Sequence, residues 1–509
     1  MRRAAALLLV CSACDGPGAP ATSPATLPGV VAVSGNAPWN SSCRGPPGRS
    51  GVLFPNAEAE PQVAIDPTDP KHLIGIWQQD RWSNGGANGL VSAVTFDGGH
   101  TWTQSFAKLT RCSGGAFQRA SDPWVSISPN GIAYQIGFAF DWDAPNRAML
   151  VSRSTDGGRT WETPIPLQQD ADPDLAMDKE TLTADPLDSH YAYAVWDRLT
   201  RFTTPGPQST GPTWFSRTSD GGTTWDQPAR SIYDPGPDAQ TISNQIVVLP
   251  DGTLVNTMMV ITQNSTPNAR SAIAVLRSSD HGTTWPGPPV TVAEADFVGV
   301  ADPKSNRGIR SGNVVHSIAV DRSSSSLYVV WADARFSSMQ RDGIVISASA
   351  DGGLSWSPPR PVNPLNGAPA FTPTVAVADG GKVGVSYYDL RNDNPSDPAH
   401  LLATHWLATS TDGGATFSET MIGGPFDLHA APVVEGPAWF LGDYQGLATA
   451  GSVFLPMFVA APGGGPTNVF FRPADLATAT SGTLRVAARG FQQMWLGARE
   501  RWRFGTLFK

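Results

Sequence analysis

The sequence predicts an all-β fold, a β-propeller built from four-stranded blades. A motif of the form S/T-x-D-x-G-x-T/S-W, with Phe closing the last copy, occurs six times: TFDGGHTW, STDGGRTW, TSDGGTTW, SSDHGTTW, SADGGLSW and STDGGATF. Between copies, short runs of apolar, aromatic and β-branched residues are bounded by turn residues, and helical periodicity is nearly absent. Four-stranded units that repeat along a chain are typical of propellers, because radial closure protects the sheet edges.

The spacing of the motif sets the number and extent of the blades. Its six aspartates recur on average every 63 residues, which corresponds to one blade. Seven candidate inner strands are recognisable, from PQVAIDP at residue 61 to YQGLATAG at residue 444. We therefore predict a propeller over residues 51–485 with seven blades, six being the alternative. The strand GVLF at 51–54 is expected to complete the last blade.

The repeated motif predicts a hairpin between the third and fourth strands of each blade. Its glycines supply the positive φ of a tight turn, and its carboxylate can accept hydrogen bonds from turn N–H groups. Each aspartate is alone in its turn, which favours a structural role over six metal or catalytic sites. The six residues are Asp97, Asp156, Asp220, Asp280, Asp351 and Asp412.

The N-terminal sequence MRRAAALLLVCSACDG is typical of a bacterial export signal, because two Arg precede a short apolar run. We predict a signal peptide at residues 1–14, which is either a lipoprotein signal with lipidation of Cys14 or a plain cleaved signal. The Pro-, Gly- and Ser-rich residues 15–50 are predicted to be a tether. The protein is therefore expected to be extracytoplasmic, as a cell-surface lipoprotein or in secreted form.

Export bears on the two remaining cysteines, Cys43 and Cys112. An even pair in an exported protein favours a disulfide, and two unpaired thiols are the alternative. The formal net charge of −9 argues against a nucleic-acid surface. No apolar run reaches the roughly 18 residues of a membrane span, so we expect membrane contact only through an N-terminal lipid. The basic tail at 486–509 is expected to pack below the propeller, to touch a membrane or partner, or to fray.

Strand order places the repeated motif and the candidate site on opposite faces. Strands within a blade are antiparallel, so the hairpins between third and fourth strands share one face, called the bottom. The top face carries longer loops and the ends of the second strands, where a second pattern recurs. The copies are WQQDR (77–81), WDR (196–198), WADAR (331–335) and YDLR (388–391). They fit either a ring of ligand-binding Arg and Asp with aromatic walls or local Asp–Arg bridges that rigidify loops.

The starts of the inner strands place further polar residues on the top face. They are Glu60, Asp122 in SDPW, Glu180 in DKET, Asn244, His316 and the pair Asp443–Tyr444 in LGDYQG, and Arg310 in GIRSGN lies just before the fifth inner strand. A buried strand start does not require such groups, so both ligand binding and simple exposure remain open for them.

The repeated motif is the Asp-box, and over about residues 55–480 the chain resembles the sialidase (neuraminidase) superfamily. Within it, the chain is similar to bacterial Asp-box proteins of the exo-α-sialidase type. The resemblance implies a retaining glycoside hydrolase with a Tyr nucleophile, which avoids like-charge repulsion with an acidic sugar. By chain order and chemistry it implies Tyr444 as nucleophile and Glu180 as its base.

The same resemblance implies an acid and a cationic clamp for the substrate carboxylate. Asp122 corresponds to the acid, and Asp80 competes with it for that role. The other residues expected to contact substrate are Arg81, Arg310 and Arg391 as the clamp, with Asp443, Arg335 and Trp77 beside them.

Two functions therefore remain open. The chain is either an exported hydrolase that removes terminal sialic acid or a related acidic sugar, or a non-catalytic propeller that binds glycan or protein through the same face. No cofactor is expected, apart from structural Ca²⁺ in the acidic loops at 170–178 and 389–397. A monomer that acts on a glycan partner is expected.

Overall fold

The computed structural model describes residues 27–40, 43, 51–200, 210–263, 269–365 and 367–473. The predicted signal peptide with Cys14 and the predicted tail at 486–509 lie outside the described residues. Within the described ranges the fold is all-β, as predicted, and short 3-10 turns occur at Arg111–Ser113, Arg335–Ser337, Leu428–Ala430 and Pro462–Gly464. None of the helices in these ranges is long and apolar enough to cross a membrane.

The described strands include seven four-stranded antiparallel units that follow one another along the chain. Blade 1 comprises β2 (Leu53–Ile65), β3 (Leu73–Trp82), β4 (Ala87–Thr95) and β5 (Thr103–Ser105). Blade 2 comprises β6 (Arg119–Ile127), β7 (Ala133–Phe140), β8 (Arg147–Ser154) and β9 (Ile165–Asp170). Blade 3 comprises β10 (Leu175–Ala184), β11 (Ala192–Thr200), β12 (Thr213–Thr218) and β13 (Arg230–Tyr233). Blade 4 comprises β14 (Ala239–Val248), β15 (Leu254–Thr262), β16 (Arg270–Ser278) and β17 (Val290–Glu294).

The remaining blades complete a closed ring. Blade 5 comprises β20 (Ser317–Val320), β21 (Leu327–Asp333), β22 (Gly343–Ser349) and β23 (Arg360–Pro361). Blade 6 comprises β24 (Ala370–Ala378), β25 (Lys382–Asp389), β26 (Leu402–Ser410) and β27 (Ser418–Asp427). Blade 7 comprises β30 (Gly446–Ala450), β31 (Val453–Ala460), β32 (Asn468–Phe471) and β1 (Val31–Ala32). Each inner strand packs against that of the next blade, and β30 packs against β2, so the ring is closed.

The strand that completes blade 7 is not the predicted one. Val31 and Ala32 pair with Phe471 and Phe470, so a part of the predicted tether is the outermost strand of the last blade. The expectation for GVLF was wrong, because Leu53 and Phe54 pair with Trp82 and Arg81 inside blade 1. The last blade of the ring is therefore completed by a strand that precedes blade 1 in the sequence.

The N-terminal segment is also fixed to blade 1. The structure contains the predicted disulfide, between Cys43 and Cys112. Trp39 donates its indole N–H to Asp80 Oδ2 at 3.0 Å. The segment therefore connects blade 7, through β1, to blade 1, through the disulfide and Asp80.

A further small sheet lies between the blades in sequence and is called the connector sheet. It comprises β18 (Val300–Ala301), β19 (Gly308–Arg310), β28 (Val433–Val434) and β29 (Ala438–Phe440). Its central strands β19 and β29 are parallel and place Arg310 opposite Phe440. The connection from blade 4 to blade 5 is thereby paired with the connection from blade 6 to blade 7.

The Asp-box hairpins have the predicted structural role. Asp156 Oδ1 accepts hydrogen bonds from Ser154 Oγ at 2.8 Å and Thr160 N at 2.9 Å, and its Oδ2 accepts from Thr160 Oγ1 at 2.6 Å. The other five boxes repeat these three bonds. Both oxygens of each carboxylate thus accept hydrogen bonds from within their own hairpin, as a structural role requires.

Candidate functional site

Five inner strands carry a β-bulge at the same place near the top face. Registers shift in β2, β6, β10, β14 and β24. The residue at each bulge has a positive φ, which is unfavourable for a residue with a side chain. These residues are Glu60, Asp122, Lys179, Ser243 and Thr372. Strained backbone that recurs in this way is a reason to look for function there.

The ammonium group of Lys179 joins carboxyl groups from the inner strands of blades 1 and 2 and from the segment that precedes β30. Its Nζ lies 2.5 Å from Asp122 Oδ1, 2.8 Å from Asp443 Oδ2 and 3.3 Å from Glu60 Oε1. All four side chains are at most 5% exposed. Because these charges are removed from water, they stabilise the fold only while they remain paired.

Arg310 of the connector sheet completes the arrangement around Asp443. Its Nε and Nη2 donate to the two carboxylate oxygens of Asp443 at 3.0 and 2.5 Å, a bidentate pair. The Arg310 side chain is 25% exposed, so it lies on the solvent side of the buried carboxylate. The connector sheet therefore places the partly exposed guanidinium of Arg310 next to the buried carboxylate of Asp443.

Asp178 lies at the edge of the same group and is half-buried. Its Oδ1 accepts a hydrogen bond from the backbone N–H of Lys179 at 3.0 Å. The charges of Lys179, Asp122, Arg310 and Asp443 all act on its carboxyl group. The residues Glu60, Asp122, Asp178, Lys179, Arg310 and Asp443 are together called the central cluster.

The carboxyl groups of the central cluster differ in their affinity for a proton. Burial raises the pKa of Glu60 to about 7 and that of Asp178 to about 6, and the neighbouring carboxylate of Asp122 adds to both shifts. Burial also opposes ionisation of Asp443, but Arg310 and Lys179 outweigh it and hold its pKa well below the ordinary value. One site thus contains both an ionised carboxylate and carboxyls that keep a proton near neutral pH.

Arg81 lies close to the central cluster but is enclosed. Its Nη1 donates to the carbonyl oxygen of Gly86 at 2.6 Å, and the side chain is 3% exposed overall. Arg81 and Arg310 lie on the Phe440 ring, 4.9 and 5.0 Å from its centroid. Burial and the charge of Arg310 lower the pKa of Arg81 to about 10. Arg81 therefore adds positive charge to the site without reaching solvent.

Tyr444, the predicted nucleophile, follows Asp443 directly but its hydroxyl group is bonded elsewhere. The hydroxyl donates to the carbonyl oxygen of Pro123 at 3.0 Å, and the ring packs against Trp124 at 5.5 Å. Burial and the surrounding carboxyls raise the pKa of Tyr444 well above its ordinary value. The phenol is therefore near the predicted acids but is not paired with a base.

Glu180, the predicted base, is 1% exposed, and neither carboxyl oxygen has a hydrogen-bond partner within the described chain. It lies on the strand face that also carries Leu182 and Ala184, which pack in the core between blades 2 and 3. Burial and the charge of Asp122 raise the pKa of Glu180 well above its ordinary value, which favours the protonated form over the carboxylate that a base requires. The predicted Tyr444–Glu180 hydrogen bond is absent from the described residues.

The predicted clamp of three arginines is not formed around one point. Arg391 pairs with Asp389 and, through two nitrogens, with Glu419 at 2.7 and 2.9 Å in blade 6. Arg335 pairs with Asp333 at 2.7 Å in blade 5. These pairs are local Asp–Arg bridges, one of the two interpretations of the aromatic, Asp and Arg pattern that recurs at the ends of the second strands.

Two further predicted site residues are part of the interior. Trp77 is fully buried and donates to Gln79 Oε1 at 2.9 Å, so it lies in the interior, and its contact with substrate stays a prediction. Asp80 is also fully buried, and it accepts hydrogen bonds from Trp39, from the backbone of Asn56 and from Asn88. Its oxygens therefore hold the N-terminal segment on blade 1, and its role as a competing acid stays a prediction.

Sequence reasoning missed Lys179 and Asp178 as members of the site. Both belong to the AMDKET segment at 176–181, where three adjacent charges interrupt an apolar strand. These three adjacent charges were the feature of the sequence that could have identified Asp178 and Lys179 as site residues. In the described part of the chain, no group of three or more His, Cys, Asp or Glu residues is arranged to hold a metal ion.

Comparison with known proteins found one family model and several solved structures that are similar to this chain. Residues 212–429 match the family model of the BNR repeat-like domain. A search of curated proteins found no match. Similar solved structures include a Hadza microbial sialidase, with 16% identity and a TM-score of 0.45 over 79% of this chain and 73% of that one.

Two other solved structures are similar at comparable levels. The GH93 α-L-arabinofuranosidase of Fusarium graminearum has 12% identity and a TM-score of 0.44 over 89% of this chain and 99% of that one. A protein of unknown function from Dyadobacter fermentans has 13% identity and a TM-score of 0.42 over 82% and 93% of the two chains. At identities this low, no activity can be transferred from one chain to another.

Proposed function

We propose that the propeller, in which residues 212–429 match the family model of the BNR repeat-like domain, is an exported glycoside hydrolase that acts at the central cluster. One observation carries the proposal. Carboxyl groups of opposite protonation tendency meet at the axis, where Arg310 and Lys179 lower the pKa of Asp443 while burial raises the pKa of Glu60 to about 7 and that of Asp178 to about 6.

Glycoside hydrolysis needs this combination. One carboxylic acid protonates the leaving oxygen, and a carboxylate acts on or stabilises the positively charged sugar that develops in the transition state. Environments that separate the pKa values of neighbouring carboxyls are how enzymes assign these two roles. The carboxyls at the axis supply both roles, whereas the remaining predicted residues do not.

We propose an acidic sugar, such as a terminal sialic acid, as the substrate class. Arg310 is the most exposed of the cations near the axis, and Lys179 and Arg81 add positive charge behind it. A guanidinium fork at the mouth of a site favours a carboxylate-bearing ligand. We further propose that the anomeric configuration is retained, which ¹H NMR of the first product can test.

Tyr444 remains a candidate nucleophile under this proposal, but its contacts favour it less than a carboxylate. For attack, its hydroxyl group has to leave Pro123 and lose its proton to a base, whereas burial raises the pKa of Glu180 and disfavours its ionised form. A Tyr444→Phe variant decides between them. Loss of all turnover in this variant supports a Tyr nucleophile, and near-normal turnover supports a carboxylate.

The test of the proposed function is a panel of 4-methylumbelliferyl glycosides at pH 5–7. The panel contains the sialoside, the glucuronide, and neutral pentosides and hexosides, with release of the fluorophore as the readout. We expect turnover of an acidic glycoside by the full chain. If none of the glycosides is hydrolysed, the proposal fails.

A second candidate function is supported by a different observation. Arg335 and Arg391, two cations of the top-face pattern, are each engaged in a local ion pair, with Asp333 and Asp389. A surface of this kind suits a propeller that binds a glycan or a protein without cleaving it. Binding of an acidic oligosaccharide in calorimetry, without product by mass spectrometry, would support this candidate.

We also propose that the protein acts outside the cytoplasm, as a lipoprotein or in soluble form. The Cys43–Cys112 disulfide supports this placement, because such bonds persist in oxidising compartments. Mass spectrometry of the mature N-terminus in a bacterial host distinguishes a lipid on Cys14 from a plain cleaved signal.

A further inference from the structure

Asp178 differs from the other carboxyl groups at the axis in its access to solvent. Glu60, Asp122, Glu180 and Asp443 are at most 4% exposed, whereas Asp178 is half-buried. Both oxygens of Glu60 are occupied, by Lys179 and the backbone of Asp443 on one side and by Gln78 on the other. A group that exchanges protons with a ligand has to reach it, so exposure favours Asp178 over Glu60.

Asp178 also differs in its partners. Among the described residues it forms no ion pair, and its only hydrogen bond is the one from Lys179 N to Oδ1. Asp122 and Asp443 are each bound directly by the Lys179 ammonium, and Asp443 is bound by Arg310 as well. The second carboxyl oxygen of Asp178 is therefore available for an incoming group.

Lys179 is the residue that creates this difference. Its backbone fixes one oxygen of Asp178, while its side chain turns away at the bulge and binds the acids of other blades. A lysine ammonium has three protons to donate, and Glu60, Asp122 and Asp443 take up its three positions. No position is left for Asp178.

We propose that Lys179 is a positioning residue that assigns the roles of the acids at the axis, and that Asp178 is the group that transfers the proton to the leaving oxygen. This assignment rests on the proposed function. In the first step Asp178 gives its proton to the glycosidic oxygen as the bond from that oxygen to the anomeric carbon breaks. The bonding electrons leave with the oxygen as the aglycone alcohol, while the nucleophile of the site bonds to the anomeric carbon. In the second step the oxygen of a water molecule displaces that nucleophile from the anomeric carbon, and the water gives one proton to Asp178.

The charges around Asp178 fit this role. The groups acting on it are Lys179 on its own strand, Asp122 on β6, Arg310 of the connector sheet, and Asp443 after that sheet. Glu180 and Asp197 lie within range as well. Burial and the anionic neighbours favour the protonated form, while Lys179 and Arg310 favour the ionised form. The balance leaves Asp178 able both to give and to take a proton near neutral pH.

The first experiment compares leaving groups in the Asp178→Asn variant. A general acid matters for a poor leaving group, such as a sugar alcohol, and matters little for an activated phenol. We expect kcat to fall at least about 100-fold on a natural disaccharide and less than about 10-fold on the activated aryl glycoside. A merely structural defect would lower both rates alike.

Asp172→Asn is the matched control, because Asp172 is an exposed residue in the loop before β10 and its carboxylate accepts one hydrogen bond, from the backbone N–H of Asp174. It should leave both rates unchanged. If wild type is active and Asp178→Asn keeps both rates, the assignment of Asp178 is overturned while the proposed function stands. If wild type hydrolyses nothing, the proposed function is overturned and this assignment falls with it.

The second experiment tests Lys179 through the pH profile. A general acid works while protonated, so the rate falls as pH rises through its pKa. Removing the ammonium in Lys179→Met should move this fall to higher pH by about one unit or more, because a cation that favoured ionisation is gone. Lys179→Arg keeps the positive charge, so the fall of the rate with pH should return towards its position in the wild type. If the rate of folded Lys179→Met falls at the same pH as that of the wild type, the positioning role of Lys179 is overturned.

Discussion

The ammonium of Lys179 lies 2.8 Å from the carboxylate of Asp443, and this contact joins the third blade to the start of the seventh across the propeller axis. The same carboxylate receives two nitrogens of Arg310, which comes from the connection between blades 4 and 5. A single aspartate therefore holds together three segments that are far apart in sequence. The closed ring depends on ionic contacts at its axis as well as on packing between blades.

Loss of the Lys179 charge should destabilise the folded protein strongly. Lys179→Met leaves the buried carboxyls of Asp122 and Asp443 without their shared cation, and breaking a buried pair in this way typically costs about 3–5 kcal/mol. Urea denaturation measures the free energy of unfolding. Lys71→Met is the control, since Lys71 is exposed, and it should change stability by less than about 0.5 kcal/mol. If Lys179→Met and Lys71→Met are equally stable, the ion pairs of Lys179 do not stabilise the fold.

Removing the disulfide should weaken the attachment of the N-terminal segment. The bond between Cys43 and Cys112 closes a loop across a sequence separation of 69 residues. Replacing both cysteines by Ser should lower stability by about 2–5 kcal/mol, because the unfolded chain regains conformational freedom. The measurement is thermal unfolding with and without a reductant. A difference between wild type and variant that persists when wild type is fully reduced would show that the bond is not the cause.

The Asp-box should make stability depend on acid pH. Hydrogen bonds from the Ser355 side chain and backbone, and from Ser349, lower the pKa of Asp351 to about 2. In the unfolded chain an Asp titrates near 3.9, so the stabilisation is complete above about pH 4 and is lost as pH falls towards 2. The Tm difference between wild type and Asp351→Asn should therefore be largest above pH 4 and shrink on acidification. A difference that stays constant from pH 5 to 2 would contradict this.

The repeated Asp-box predicted the fold because one local pattern recurs once per blade and its chemistry is satisfied within eight residues. The closing strand Val31–Ala32 could not be predicted in the same way. It has two residues in a Pro- and Gly-rich stretch, and only its pairing with Phe470 and Phe471 makes it a strand. Local sequence carries no information about a partner more than 400 residues away.

The candidate site was predictable only in part, for a related reason. Asp122, Arg310 and Asp443 were chosen for their place at strand starts, and they do meet. Arg335 and Arg391 were chosen from a repeated pattern, but repetition here marks a local ion pair that each blade needs separately. Lys179 was missed because its importance lies in contacts with three other segments, which depend on a bulge that the sequence does not display.

The central claim, hydrolysis of a glycoside at the central cluster, is tested most directly by the Asp443→Asn variant. Asp393→Asn is its matched control, because Asp393 is also a buried aspartate in an ion pair, with Lys304 at 2.8 Å, but lies outside the central cluster. The measurement is the initial rate of aryl-glycoside hydrolysis at pH 6 by wild type and both folded variants. We expect turnover by wild type and Asp393→Asn, and a loss of at least about 100-fold in Asp443→Asn. Equal rates for the two variants would place the chemistry elsewhere and contradict the account.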